Sequence, residues 1–368
     1  MAKFSGYIGA YTEGGGKSTG IYYFSMNAVT GVIEDLRPAA ESRNPSFLAF
    51  SPSREFLYAV NEVEDGGEVS AYALREDGTL KFLNRKSSKG AAPCHISIDG
   101  EGAWAVVSNY SSGVLAALPI GKKGSLGETV QVIQYEGSGP DTQRQNSAHA
   151  HSFTFAPDFS NGFACDLGSD RVMLYQVNPR SRKPLTPWAP PFAVVGPGSG
   201  PRHGVFHPSG RFIYILHELS STVDVFAYTG GAAGRKEKPG SAVSVPPGPS
   251  LRHLQTISAL PKRKTQEPSF AAAIRTGTGG KFLYTSNRGH DSITVFRILP
   301  GGFLEWVDAV GTGGKHPRDF ILTPGGGFLA ALNKDSDNLV IFRIDRRTGL
   351  PQKEREYPVL SPTAIVFK

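Results

Sequence analysis

Only two cysteines occur in the chain, Cys94 and Cys165, and neither stands in a Cys-x-x-Cys or Cys/His metal-binding spacing. That excludes a disulfide framework and a zinc ribbon as organising devices, and two reduced, largely buried thiols are expected. No run approaches the roughly 18 consecutive apolar residues of a spanning helix, so no membrane partner is expected. The opening Met-Ala-Lys-Phe-Ser-Gly lacks the apolar core of a secretory signal and runs straight into strand pattern. A cytoplasmic location is the expectation. Any stretch of helical period is missing too, which removes the helical and mixed folds. Aromatic residues are absent from the most basic segment, Gly230–Glu267, with its clusters Arg235–Lys238 and Pro261–Lys264. The net charge of +7 therefore reads as a solvated loop insertion, and no nucleic-acid partner is expected.

What is present is turn chemistry and short apolar runs. Glycine (44) and proline (27) are plentiful enough for many tight turns without reaching the range of disordered chains. The stretch Pro201–Thr229 holds three strand-like runs, GVFH, FIYIL and VDVFAY, separated by Pro-Ser-Gly and by the polar His-Glu-Leu-Ser-Ser. A meander of three strands cannot bury both faces alone. Related units begin near Pro45, Pro93, Ala150, Pro201, Ser269 and Pro317, and a last opening strand stands alone at Pro362. Less regular fourth strands are expected at Leu80–Ser88, Val130–Gly137 and Leu304–Thr312. The unit missing after Pro362 lies at the other end, where Gly6–Met26 reads as second and third strands without a first. All-strand repeats of about 40–50 residues are the mark of a β-propeller with four strands per blade. The spacing predicts one all-β domain over residues 1–368: a seven-bladed β-propeller closed by pairing the C-terminal strand with the N-terminal strands, so that no sheet edge is left open. A long sandwich or a solenoid would not need a half-unit at each end.

The repeats disagree where chemistry is expected. Their second residues include Cys94, His151, Arg202 and Arg318, and the residues that follow their second strands include Glu62, Tyr110, Glu218, Arg288 and Lys334. In a propeller these two registers converge on one mouth of the central channel. Arginines cannot be buried unpaired, so such a set meets carboxylates or an anionic ligand. By strand alternation, His95 and His203 point away from their preceding neighbours, and His95 is expected in the core; His207 is expected to serve a turn. His149 and His151 share a strand face by the period of two. That spacing can hold a metal, but no third ligand is indicated, and neither a metal nor another cofactor is expected. The polar insertion Glu136–His151 ends on this pair and could overhang the site.

In order along the chain stand YIGAYT (Tyr7–Thr12), HAHSFTFAPD (His149–Asp158), DLGSDRV (Asp166–Val172), PRHGVFHPSG (Pro201–Gly210), HELSSTV (His217–Val223) and SNRGHDSI (Ser286–Ile293). With these motifs the chain resembles the seven-bladed propeller lactonases, which include propeller-type 6-phosphogluconolactonases and fungal carboxy-cis,cis-muconate cyclases. It departs from many relatives in the basic insertion and in a Gly-Thr-Gly-Gly turn. The resemblance implies a site of a histidine, an arginine, a glutamate and a second arginine, falling on His151, Arg202, Glu218 and Arg288, with His149, His203, Arg318 and Lys334 as further substrate-binding candidates. The substrate implied is a small anionic lactone, most readily 6-phosphogluconolactone, hydrolysed without a metal by a monomer or weak dimer. Either His151 or Glu218 could act as base, with the arginines holding oxyanion and substrate anion. A muconate-type cyclisation and a non-enzymatic interaction platform are the alternatives. A nucleophilic serine is not expected, because no Gly-x-Ser-x-Gly elbow is expected and a propeller offers no strand-to-helix turn on which to build one.

Overall fold

The computed structural model describes residues 2–230, 250–261 and 268–368. They form seven four-stranded antiparallel sheets. Blades one to six take residues 48–87, 93–134, 150–194, 201–258, 270–311 and 317–358 in chain order, each running from an inner strand through a second and third to an outer one. Blade seven joins the two ends of the chain: Pro362–Phe367 is its inner strand and pairs with Lys3–Ala10, which is followed by Gly20–Asn27 and Ile33–Glu41. The inner strands contact their neighbours in sequence all the way round, so the ring is closed. No helix among the described residues is long and apolar enough to cross a membrane.

Alternation along the strands places one apolar core between each pair of adjacent blades. Blades four and five, for instance, bury Tyr214, Leu216, Val225, Ile274, Leu283 and Phe296 between them. The seam between blades six and seven buries Ile8, Phe24, Phe328, Ile341, Ile365 and Phe367. A recurring bolt crosses several of these seams. In blades one, four and five the second strand carries Phe-x-Tyr, and the tyrosine hydroxyl donates to the carbonyl of a glycine in the next blade's turn. The pairs are Tyr58 to Gly124 (3.0 Å), Tyr214 to Gly302 (3.2 Å) and Tyr284 to Gly349 (2.9 Å). The phenylalanine two residues earlier lies flat on the same glycine. A Cβ at Gly302, where φ is +84°, would stand 2.5 Å from the Phe212 ring.

One expectation is corrected here. The segment 230–267 is not all loop, because Ser250–Ser258 pairs with Thr222–Thr229 as the outer strand of blade four. Its polar residues Arg252, His253 and Thr256 are exposed, as on an outer strand, and the neighbouring basic clusters hid that signal. Arg235–Lys238 and Lys262–Lys264 lie outside the described residues.

Candidate active site

A repeated irregularity builds the site. In six blades the pairing of the inner and second strands slips by one residue near the start of the inner strand. The extra residue is Cys94, His151, Arg202, Arg318 or Thr363, and in blade five the slip falls at Ala272–Ala273. Bulges re-aim side chains in this way next to functional sites. Here they also cancel the alternation expected for His95 and His203. His203 does not turn away from Arg202: Arg202 Nη1 lies 3.2–3.3 Å from both of its ring nitrogens. His95 is half-buried rather than core, its ring 4.3 Å from Phe47 and 5.4 Å from His203. With Phe47 these histidines floor the channel one residue further along the inner strands than Cys94 and Arg202. His207 bridges Ser209 and the Gly280 carbonyl, as a turn residue does.

At the centre stands Glu218, first residue after the second strand of blade four, 3 % exposed. Its Oε2 accepts from Arg202 Nε at 2.9 Å and pairs with Arg288 Nη2 at 2.8 Å, while Oε1 accepts from Arg144 Nη2 at 2.5 Å. His151 Nε2 lies 3.8 Å from Oε2. The four residues His151, Arg202, Glu218 and Arg288 therefore converge at one mouth, from blades three, four and five. They are buried rather than open to a water-filled pocket, Arg202 and Glu218 at 3 % and His151 at 5 %. Blade five contributes backbone acceptors as well as charge. Its Ala271–Ala273 carry no long side chains, and the carbonyls of Ala271 and Ala272 accept from Arg288 and Arg202.

The electrostatics follow from this burial. Burial works to raise the Glu218 carboxyl, but Arg288, Arg202, His151 and Arg144 outweigh it and hold it well below the usual range. Burial first, then the Arg202 charge, keep His151 and His203 well below the ordinary imidazole value. His95 is pushed down to about 3 by burial and by Arg275 and Arg202. Arg202 falls to about 10, through burial and Arg288, and so stays charged at neutral pH. Burial raises the Cys94 thiol, 3.8 Å from His151 Nδ1, which keeps it inert at neutral pH.

The remaining candidates lie around this centre. Arg318 pairs with Glu62 (3.2 Å) and lies over the Tyr11 ring, whose hydroxyl donates to the same Glu62 oxygen (2.9 Å). Lys334 is half-buried and pairs with Asp335, and it is not joined to the Glu218 cluster. His149 stacks on Tyr110 with ring centroids 4.5 Å apart and does not touch Glu218. Among the described residues no set of three or more His, Cys, Asp or Glu side chains is arranged to hold a metal ion. The Gly-x-Ser-x-Gly spacing does occur once, at Gly16–Gly20, but in the turn between two strands. There Ser18 Oγ accepts from Gly20 N at 2.8 Å, so it is a turn serine and no elbow nucleophile. A cavity of about 600 Å³ opens at the other end of the inner strands, lined by Phe50, Arg54, Ile98, Ile321 and Phe367. It contains none of these ionisable residues.

Sequence reasoning missed Arg144, and it placed Tyr110 in the second register without giving it a role. Arg144 sits in the connection between blades two and three, outside the repeat, so comparing repeats could not select it. Its one signal was the polar insertion that ends on His149 and His151.

Fold and site together define a seven-bladed propeller with a buried arginine, carboxylate and histidine centre at one channel mouth. Residues 5–367 match the family model described as "Lactonase, 7-bladed beta-propeller", and the chain belongs to that family. It is 35 % identical over 351 residues to a protein named 6-phosphogluconolactonase from Bacillus subtilis strain 168, covering 95 % of this chain and 93 % of that one. A protein of the same name from Formosa agariphila is 33 % identical, with 94 % of each chain covered. The structure of a periplasmic gluconolactonase of Pseudomonas aeruginosa superposes with a TM-score of 0.88 at 31 % identity, covering 100 % of this chain and 99 % of the other.

Proposed function

We propose that the protein hydrolyses an anionic sugar lactone, most specifically 6-phosphogluconolactone to 6-phosphogluconate, at the Glu218 centre. The observation that carries this reading is the charge of the centre. Three guanidinium groups, those of Arg144, Arg202 and Arg288, share the single Glu218 carboxylate, while burial keeps His151 neutral. The excess of two positive charges in a largely desolvated place suits a ligand that brings two negative ones. The names of the relatives point to the same lactone.

The geometry favours His151 over Glu218 as the base. Glu218 is saturated by its arginines and serves as the post that aligns them, whereas a neutral imidazole keeps one ring nitrogen able to accept a proton. In the proposed reaction His151 takes a proton from water as its oxygen bonds to the lactone carbonyl carbon, and Arg202 and Arg288 stabilise the oxyanion. Collapse breaks the ring ester bond, and the imidazolium returns the proton to the departing ring oxygen. Glu218, 3.8 Å away, stabilises the imidazolium in between.

The test is lactone hydrolysis followed by acid release. His151→Ala is expected to lower kcat by about 10²–10⁴-fold in a protein that still folds, as its near-ultraviolet circular dichroism would show. Full activity in that variant overturns the assignment. Glu218→Gln is a poorer probe, since it leaves three arginines without a counter-charge and is expected to cost about 3–5 kcal/mol of stability.

A further inference from the structure

Arg144 differs from the other two arginines of the centre in every respect that bears on ligand entry. Its side chain is 35 % exposed, against 4 % for Arg202 and 10 % for Arg288. It reaches Glu218 from a loop rather than from a blade strand, and its guanidinium lies between two aromatic groups. Nη2 is 3.3 Å from the Tyr110 hydroxyl, and the group sits 5.6 Å over the Phe270 ring. The backbone beneath it is fixed. Gln145, fully buried, donates to the Leu167 carbonyl and the Asp170 carboxylate at 2.8 Å each, and Asp141 Oδ1 accepts from Arg144 N at 3.0 Å. The side chain can swing while its anchor stays.

We infer that Arg144 is the specificity residue of the site: it receives the phosphate group of the lactone at the outer rim, exchanging its bond to Glu218 for bonds to the phosphate. This rests on the lactonase reading and names the part of the substrate that Arg144 recognises. The phosphomonoester is a dianion above a pKa near 6; Arg144 brings it one of the two uncompensated charges, and the other stays with Arg202 and Arg288 for the oxyanion. A guanidinium offers it two parallel N–H donors, which a lysine cannot. When Arg144 leaves Oε1, Glu218 keeps Arg202 and Arg288 in place, so the oxyanion donors are undisturbed.

The experiment compares wild type, Arg144→Ala and Arg144→Lys on 6-phosphoglucono-δ-lactone and on glucono-δ-lactone, after melting curves confirm folding. In Arg144→Ala the ratio of kcat/KM between the phosphorylated and unphosphorylated lactones is expected to fall about 10- to 100-fold, mainly through KM, and lysine should restore part of it. An unchanged ratio overturns the inference, as does an equal fall on both substrates carried by kcat. If wild type hydrolyses neither lactone, the lactonase reading fails, and calorimetry with 6-phosphogluconate and gluconate decides on Arg144 separately. Binding of 6-phosphogluconate weakened about 10- to 100-fold by Arg144→Ala, with gluconate affected far less, supports the role. Equal binding by both proteins, or none by wild type, overturns it.

Discussion

Three histidines of the channel, His151 and His203 buried and His95 half-buried, are neutral because they are desolvated beside arginines, and this has a sign that can be measured. In the unfolded chain each takes up a proton near pH 6.5, while in the folded protein each does so only well below that, His95 at about 3. Between those values the unfolded state binds more protons. Stability is therefore complete above pH 6.5 and is lost as the pH falls, by up to about 1.4 kcal/mol per pH unit for each histidine. The melting temperature is expected to drop steadily from pH 7 to pH 5, and His95→Gln should make the drop shallower. A melting temperature that is flat over that range would refute the account. The same neutrality is what the role proposed for His151 as base requires.

At the level of elements, the inner strand with its bulge is what turns a repeat into a site. The repeats were legible in the sequence because each opens and turns alike, and the four central residues were legible because they break the repeat in two fixed registers. The bulge was not legible. It leaves no composition signal, and plain alternation therefore sent His95 and His203 the wrong way. Arg144 stayed hidden for the opposite reason, since a loop outside the repeat has no equivalent to be compared with. The outer strand Ser250–Ser258 was lost because its neighbours in sequence are strongly basic. The interblade bolt gives a test at this scale. Tyr214→Phe removes one buried hydrogen bond and is expected to cost about 1 kcal/mol. Gly302→Ala forces a left-handed φ of +84° and a Cβ 2.5 Å from the Phe212 ring, and should cost more than the tyrosine change. If chemical denaturation ranks them the other way, the bolt is held by the hydroxyl rather than by the fit of ring on glycine.

For the whole molecule, closure rests on Pro362–Phe367. This strand supplies Ile365 and Phe367 to one seam and Ala364 to the next. Removing residues 362–368 would open two cores and bare the edge of Lys3–Ala10, at about 1.5–3 kcal/mol for each large apolar side chain lost. The truncated chain is expected to be aggregated or molten by size-exclusion chromatography and near-ultraviolet circular dichroism. A monomer with the melting temperature of the full chain would refute the closure. The position of that strand also sets an order in time. Tyr7 pairs with Val366, so on the ribosome the first blade to begin is the last to be finished, and its early strands wait through nearly the whole of synthesis for their partner. The charged centre does not wait, because Arg144, His151, Arg202, Glu218 and Arg288 all precede blade six and the closing strand in the chain. Domains fold as their segments emerge, and distant pairings form slowly. Blades three to five can thus set Glu218 among its arginines on an open arc, and the arrival of Pro362–Phe367 then locks the ring around them.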